Sequence, residues 1–117
     1  MYEEFEAWLD RFLEKGLPEN IVAVNFNLYE CDEETEFDVQ LIGSSEYDED
    51  DPDWACSDEF STGEDVLAVT ADGWEKCQSK CAALVRRYLR GGKYAEALND
   101  LAAVTVGFVD GDLEVVE

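Results

Sequence analysis

Residues 46–59 gather the groups of this chain best suited to binding chemistry: Tyr47, Asp48, Asp50, Asp51, Asp53, Trp54, Asp58 and Glu59. Carboxylates bracketed by aromatic rings suit two tasks. They can ligate a hard cation, or they can dock a cationic protein surface through aromatic anchors and charge. Set against the helix-loop-helix calcium motif, Asp48, Asp50 and Glu59 fall at ligand positions one, three and twelve. Position five is then Pro52, which has no side-chain oxygen, and position six is Asp53, where the tight bend wants glycine. The flanks also read as strand and loop, not as helices. The spacing therefore argues against calcium, while the aromatic rings that bracket the charge point to a protein contact through the eight residues named. Two plainer roles stay open: a solvated acidic loop, and Trp54 as a core residue.

The four cysteines suggest no metal. Cys77 and Cys81 are four apart and share one helix face, while Cys31 and Cys56 stand alone and the chain has no histidine. Structural zinc is usually held by close cysteine pairs or by histidines. Cys77 and Cys81 read instead as small apolar fillers. Catalysis lacks parts as well. Histidine, the commonest general base, is missing, and there is no phosphate-binding glycine loop and no nucleophile elbow. Thirty acids give many accidental carboxylate pairs, so a pair such as Asp110 and Asp112 carries no signal. No enzyme, cofactor or metal is expected.

Charge adds a second line of argument. Thirty Asp and Glu stand against eight Lys and Arg in 117 residues, for a formal net charge of -22. Residues 1–75 hold most of the acids but only Arg11 and Lys15 as bases, whereas Lys76, Lys80, Arg86, Arg87, Arg90 and Lys93 all fall between 76 and 93. Such a body repels nucleic acid and anionic membrane and attracts cations from a distance. The basic stretch is expected to pair with carboxylates of the same chain or of a second copy. The chain is therefore expected to be a monomer or a salt-sensitive homodimer.

These groups need a scaffold. A 46% apolar fraction is too rich for disorder, and the length suits one domain over residues 1–117. The N-terminus lacks a basic start and an apolar stretch, and no run reaches the ~20 apolar residues of a membrane span, so a cytoplasmic protein with reduced thiols is expected. Phe5, Leu9, Phe12 and Leu13 recur at helical spacing over 2–15, ended by Gly16 and Pro18. Residues 21–29 alternate as a strand, with Val22, Val24, Phe26 and Leu28 on one face and Asn25 and Asn27 on the other, partly wet one. Residues 36–42 form a second strand, 54–56 a short one, and 66–70 another. Asp72 is placed to cap a helix over 73–90, striped by Trp74, Cys77, Cys81, Leu84, Val85 and Tyr88. Gly91-Gly92 ends it, and a short helix covers 94–101. Asp110-Gly111 predicts a two-residue hairpin turn that sets Phe108 beside Leu113 and Val106 beside Val115. The composite is α+β: an antiparallel sheet of four to five strands, with an N-terminal helix and one long plus one short helix packed on one sheet face before the C-terminal hairpin.

Four segments taken together carry a likeness: residues 21–30 (IVAVNFNLYE), 37–43 (FDVQLIG), 53–56 (DWAC) and 106–114 (VGFVDGDLE). The chain resembles the small acidic α+β immunity proteins of bacterial polymorphic-toxin and contact-dependent growth inhibition systems. The resemblance implies a bacterial cytosolic protein that binds a cognate toxin domain, blocks it, and performs no catalysis. A cationic nuclease is the toxin that the charge best matches, since nuclease clefts are basic to hold phosphate. The alternatives are a nucleic-acid mimic, a non-enzymatic acidic interaction domain, and a carboxylate-dependent hydrolase.

Overall fold

A computed structural model describes every residue except 1, 32, 34, 52, 53, 56, 57, 109–112 and 117, and for Asp58 the backbone alone. The elements run α1 (Tyr2–Leu13), β1 (Ala23–Glu30), β2 (Glu36–Ser44), β3 (Asp58–Ser61), β4 (Leu67–Thr70), α2 (Trp74–Gly91), α3 (Ala95–Asn99), β5 (Ala103–Phe108) and β6 (Glu114–Val115). The α+β class follows the sequence reading, and the helices pack on one face of the sheet. The sheet has six strands in the order β3-β2-β1-β5-β6, with β4 also paired to β2.

The sheet is mixed, not wholly antiparallel. β1 and β5 lie parallel, from Ala23 opposite Ala103 to Leu28 opposite Phe108. The cause is the connection. After β2, β3 and β4 the chain crosses back through α2 and α3, and a helical crossover returns a strand in the same direction as the one it joins. β3 pairs with the Ile42–Ser44 end of β2 and β4 with its Glu36–Val39 end, so both share one side of that strand.

The helix-facing row of the sheet is Val24, Phe26, Leu28, Phe37, Val39, Leu41, Val69, Val104 and Val106, all buried. Against it lie Phe5, Trp8, Leu9 and Leu13 of α1 and Cys77, Cys81, Val85 and Tyr88 of α2. Each such side chain contributes roughly 1.5–3 kcal/mol by leaving water. Phe5 sits at the centre, with its ring 5.8 Å from Phe26 and 6.3 Å from Tyr88. Cys77 and Cys81 are fillers of this core. The Cys77 sulfur beside it, and burial, push the Cys81 thiol far above the ordinary range, which leaves it inert as a nucleophile.

Four local expectations change. Gly73, not Asp72, caps α2: its φ of 98° lies in the left-handed region that glycine tolerates, and Asp72 pairs with Lys76 at 3.6 Å instead. Trp74 leaves the α2 stripe and stands 54% exposed, stacked edge-on to Phe108. Trp54 and Ala55 lie in a 3₁₀ turn, not a strand, and β3 occupies residues read as loop. The C-terminal hairpin is shifted by one residue: Thr105 faces Val115 and Val106 faces Glu114, and the Val116 N–H bonds the Val104 carbonyl. That register puts Val116, not Val115, into the main core. The Asp110-Gly111 turn itself lies outside the described residues.

The Tyr88 hydroxyl ties three helices. It donates to Asp10 Oδ1 at 2.5 Å and accepts the Tyr94 N–H at 3.2 Å. A Cβ on Gly92 would meet the Tyr88 ring at 2.6 Å, and a ring pinned at its far end cannot retreat. Gly92→Ala is therefore expected to cost ~1–3 kcal/mol of overpacking in urea unfolding. Burial, then the bond to Asp10, raises the Tyr88 phenol above its ordinary value of 10.0. The unfolded chain then releases the phenolic proton more readily than the folded one. This contribution to stability is complete below pH ~10 and falls as pH rises past it. Tyr88→Phe should cost ~1.5–3 kcal/mol at neutral pH and flatten the alkaline decline, as read from urea midpoints across pH.

Candidate functional site: the partly covered second face of the sheet

The sheet face opposite the helices is partly wet, as expected: Glu36 of β2 and Ala68 and Thr70 of β4 are exposed there, and Asp38 and Gln40 are half-buried. Asn25 and Asn27 lie in its dry part, 1% and 8% exposed. Their amides are satisfied laterally. The Thr105 hydroxyl lies 2.9 Å from Asn25 Oδ1 and 3.1 Å from the Val24 carbonyl, so its one proton serves either acceptor. Asn25 Nδ2 donates to Asn27 Oδ1, and Asn27 Nδ2 lies 3.4 Å from Gln40 Oε1. The Tyr29 hydroxyl donates to the same Gln40 oxygen at 2.9 Å, and Gln40 Nε2 donates to the Gly63 carbonyl at 3.0 Å. This row crosses β5, β1 and β2 with its polar groups paired, which makes it rigid.

A second, smaller apolar cluster covers one end of this face. Trp54 packs with Ala23 and Ala103, and Tyr47, Ala55 and Leu113 surround them. The two alanines leave room for the indole. Tyr47 meets Trp54 edge-on, with centroids 5.3 Å apart at 76°. The segment between them is a compact turn. The Asp51 N–H bonds the Asp48 carbonyl at 3.2 Å, and Asp48 Oδ1 accepts the Asp50 N–H at 2.9 Å. Asp side chains close turns in this way.

Between this turn and the β5–β6 edge lies a pocket of about 270 Å³, lined by Tyr47, Asp48, Glu49, Asp50, Trp54, Thr105, Leu113 and Val115. Tyr47, Asp48, Asp50 and Trp54 of the expected contact set are therefore brought together. Asp51 is exposed in the same turn, outside the lining. Glu59 is drawn elsewhere: it accepts bonds from Ser45 Oγ at 2.8 Å and from Asn20 Nδ2. Asp53 lies outside the described residues, as does the Asp58 side chain. Trp54 is 5% exposed, so it backs the turn as a core residue and is not a protruding anchor.

Glu49, Thr105, Leu113 and Val115 were missed. Leu113 and Val115 alternate with Glu114, and that pattern fits either face until the register is known. Among the described residues, no Lys or Arg is paired with Asp48, Glu49 or Asp50. The ion pairs there join Arg11 to Asp65 at 3.3 Å, Lys76 to Asp72 at 3.6 Å and Arg86 to Glu114 at 3.9 Å. The basic helix is thus partly matched by its own chain, while the turn keeps its negative field. Among the described residues, no group of three or more potential ligands is placed to hold a metal ion, and no helix is long and apolar enough to cross a membrane. No protein family, no curated protein and no solved structure matches the chain.

Proposed function

We propose that this chain is an immunity protein: it binds a cognate bacterial toxin domain, most simply a cationic nuclease, and holds it inactive through the acidic face around residues 46–51. The observation that carries this reading is the turn itself. Four adjacent exposed carboxylates (Asp48, Glu49, Asp50 and Asp51) stand on a turn fixed by its own hydrogen bonds and backed by a buried tryptophan. A fixed, concentrated negative charge steers a basic partner to one place and loses little entropy when it binds. The net charge of -22 extends the attraction over the molecule. The resemblance of residues 21–30, 37–43, 53–56 and 106–114 to immunity proteins supports the same reading.

Shape weighs against a nucleic-acid mimic. The extents of 37 × 30 × 25 Å give no elongated face along which carboxylates could repeat like phosphates. Co-expression tests the proposal. The chain is produced together with the C-terminal domain of any large secreted protein that its gene is found to neighbour. Relief of growth arrest, together with a complex whose association slows as sodium chloride rises, is the expected result. Arrest undiminished by the chain would overturn it.

A further inference from the structure

We infer that the pocket between the acidic turn and the β5–β6 edge receives a single arginine side chain from the bound partner. This rests on the immunity reading for its biological context, but the pocket's chemistry argues for the ligand class independently. At about 270 Å³ the pocket falls just below the ~300–1,000 Å³ typical of sites for drug-sized ligands, and so suits one long side chain. Its lining is of two kinds. Leu113, Val115 and the half-buried Tyr47 ring offer apolar and aromatic surface, with the buried Trp54 behind them, while Asp48, Glu49 and Asp50 supply three carboxylates with no cation of the described chain paired to them.

A ligand that matches both halves needs an aliphatic stem and a cationic head. Lysine and arginine both have these, and the aromatic half decides between them. A guanidinium is planar and weakly hydrated, packs well on rings, and can donate to two carboxylates at once, whereas an ammonium holds its water more tightly. The turn is also set before binding: Asp48 Oδ1 already holds the Asp50 N–H, so little ordering remains for the ligand to impose.

The probe is N-acetyl-arginine amide, titrated into the full chain and followed by proton–nitrogen and methyl NMR, with the lysine and citrulline amides in parallel. Saturable shifts confined to Tyr47, the Trp54 indole, Thr105, Leu113 and Val115 are expected. Arginine should bind at least about threefold more tightly than lysine, and citrulline should not saturate. Two variants check the location. Glu49→Gln/Asp50→Asn changes only exposed carboxylates and should weaken arginine binding severalfold. Val115→Trp alters a half-exposed position on a two-residue edge strand and should abolish saturation by filling the pocket. Equal binding of citrulline, unsaturable shifts spread over the acidic surface, or indifference to both variants would each overturn the assignment. If the pocket fails in these ways while co-expression still relieves arrest, the immunity reading survives without it. Saturable arginine binding in a chain that rescues nothing removes the immunity reading instead.

Discussion

Trp54→Ala is expected to lose ~3–5 kcal/mol of stability, the cost of a large aromatic deleted from a packed site. Set against a total of ~5–15 kcal/mol for a domain of ordinary stability, that is a large fraction. The loss is expected here because Trp54 has no understudy. It lies over Ala23 and Ala103, two side chains too small to close the gap it would leave, and its edge contact with Tyr47 disappears with it. Water would then reach Asn25 and Thr105, which are now buried, and the acidic turn would lose its backing. Trp54→Phe should retain most of the packing. Urea unfolding followed by far-ultraviolet circular dichroism reads the effect without relying on the deleted fluorophore. A loss under ~1 kcal/mol would mean that the turn and its tryptophan are not part of the cooperative unit.

The second large effect concerns rate. On the proposed immunity role, replacing the turn's carboxylates together (Asp48→Asn, Glu49→Gln, Asp50→Asn and Asp51→Asn) is expected to slow association with the toxin partner ~10–100-fold at low salt. Stability should barely move. All four residues are exposed, and an asparagine at 48 keeps the oxygen that accepts the Asp50 N–H. The dissociation rate should change less than the association rate, as steering charges act mainly on encounter. Stopped-flow association rates of the wild-type and neutralised chains should converge toward 1 M salt, where the screening length falls to ~3 Å. An unchanged association rate would place the contact on another face.

Much of the scaffold was legible because its signals are local. Phe5, Leu9 and Leu13 repeat at helical spacing, Val24, Phe26 and Leu28 alternate, and all six are buried where the pattern puts them. What the sequence hid depends on contacts between distant segments. Nothing in residues 103–108 announces that they lie parallel to β1, because that pairing is created by the crossover. The final hairpin contains two competing readings: Leu113 and Val115 on the core side, or Val116 alone. The second prevails, with Val116 opposite Val104 in the core and Val115 half-exposed on the other face. Asn25 and Asn27 looked solvated because polar residues on a strand usually are. They are buried because each amide finds a partner on β5 or β2, residues far off in sequence. The acidic turn was legible as composition, but the pocket needed Thr105, Leu113 and Val115, which only the β5–β6 register supplies.

The position of β5 bears on the chain's birth. This strand is made after β1 to β4, yet it sits inside the sheet, between β1 and β6. Pairings between such remote stretches form slowly, since the intervening chain must be gathered first. On the ribosome, β1 and β2 can pair as a hairpin early, but the β1 flank stays bare until residues 103–108 emerge from the exit tunnel. The wall of the pocket follows only with 113–115. A nascent copy would thus carry the negative charge of its first strands well before residues 113–115 complete the pocket, so on the proposed immunity role only molecules synthesised past that point could capture a partner.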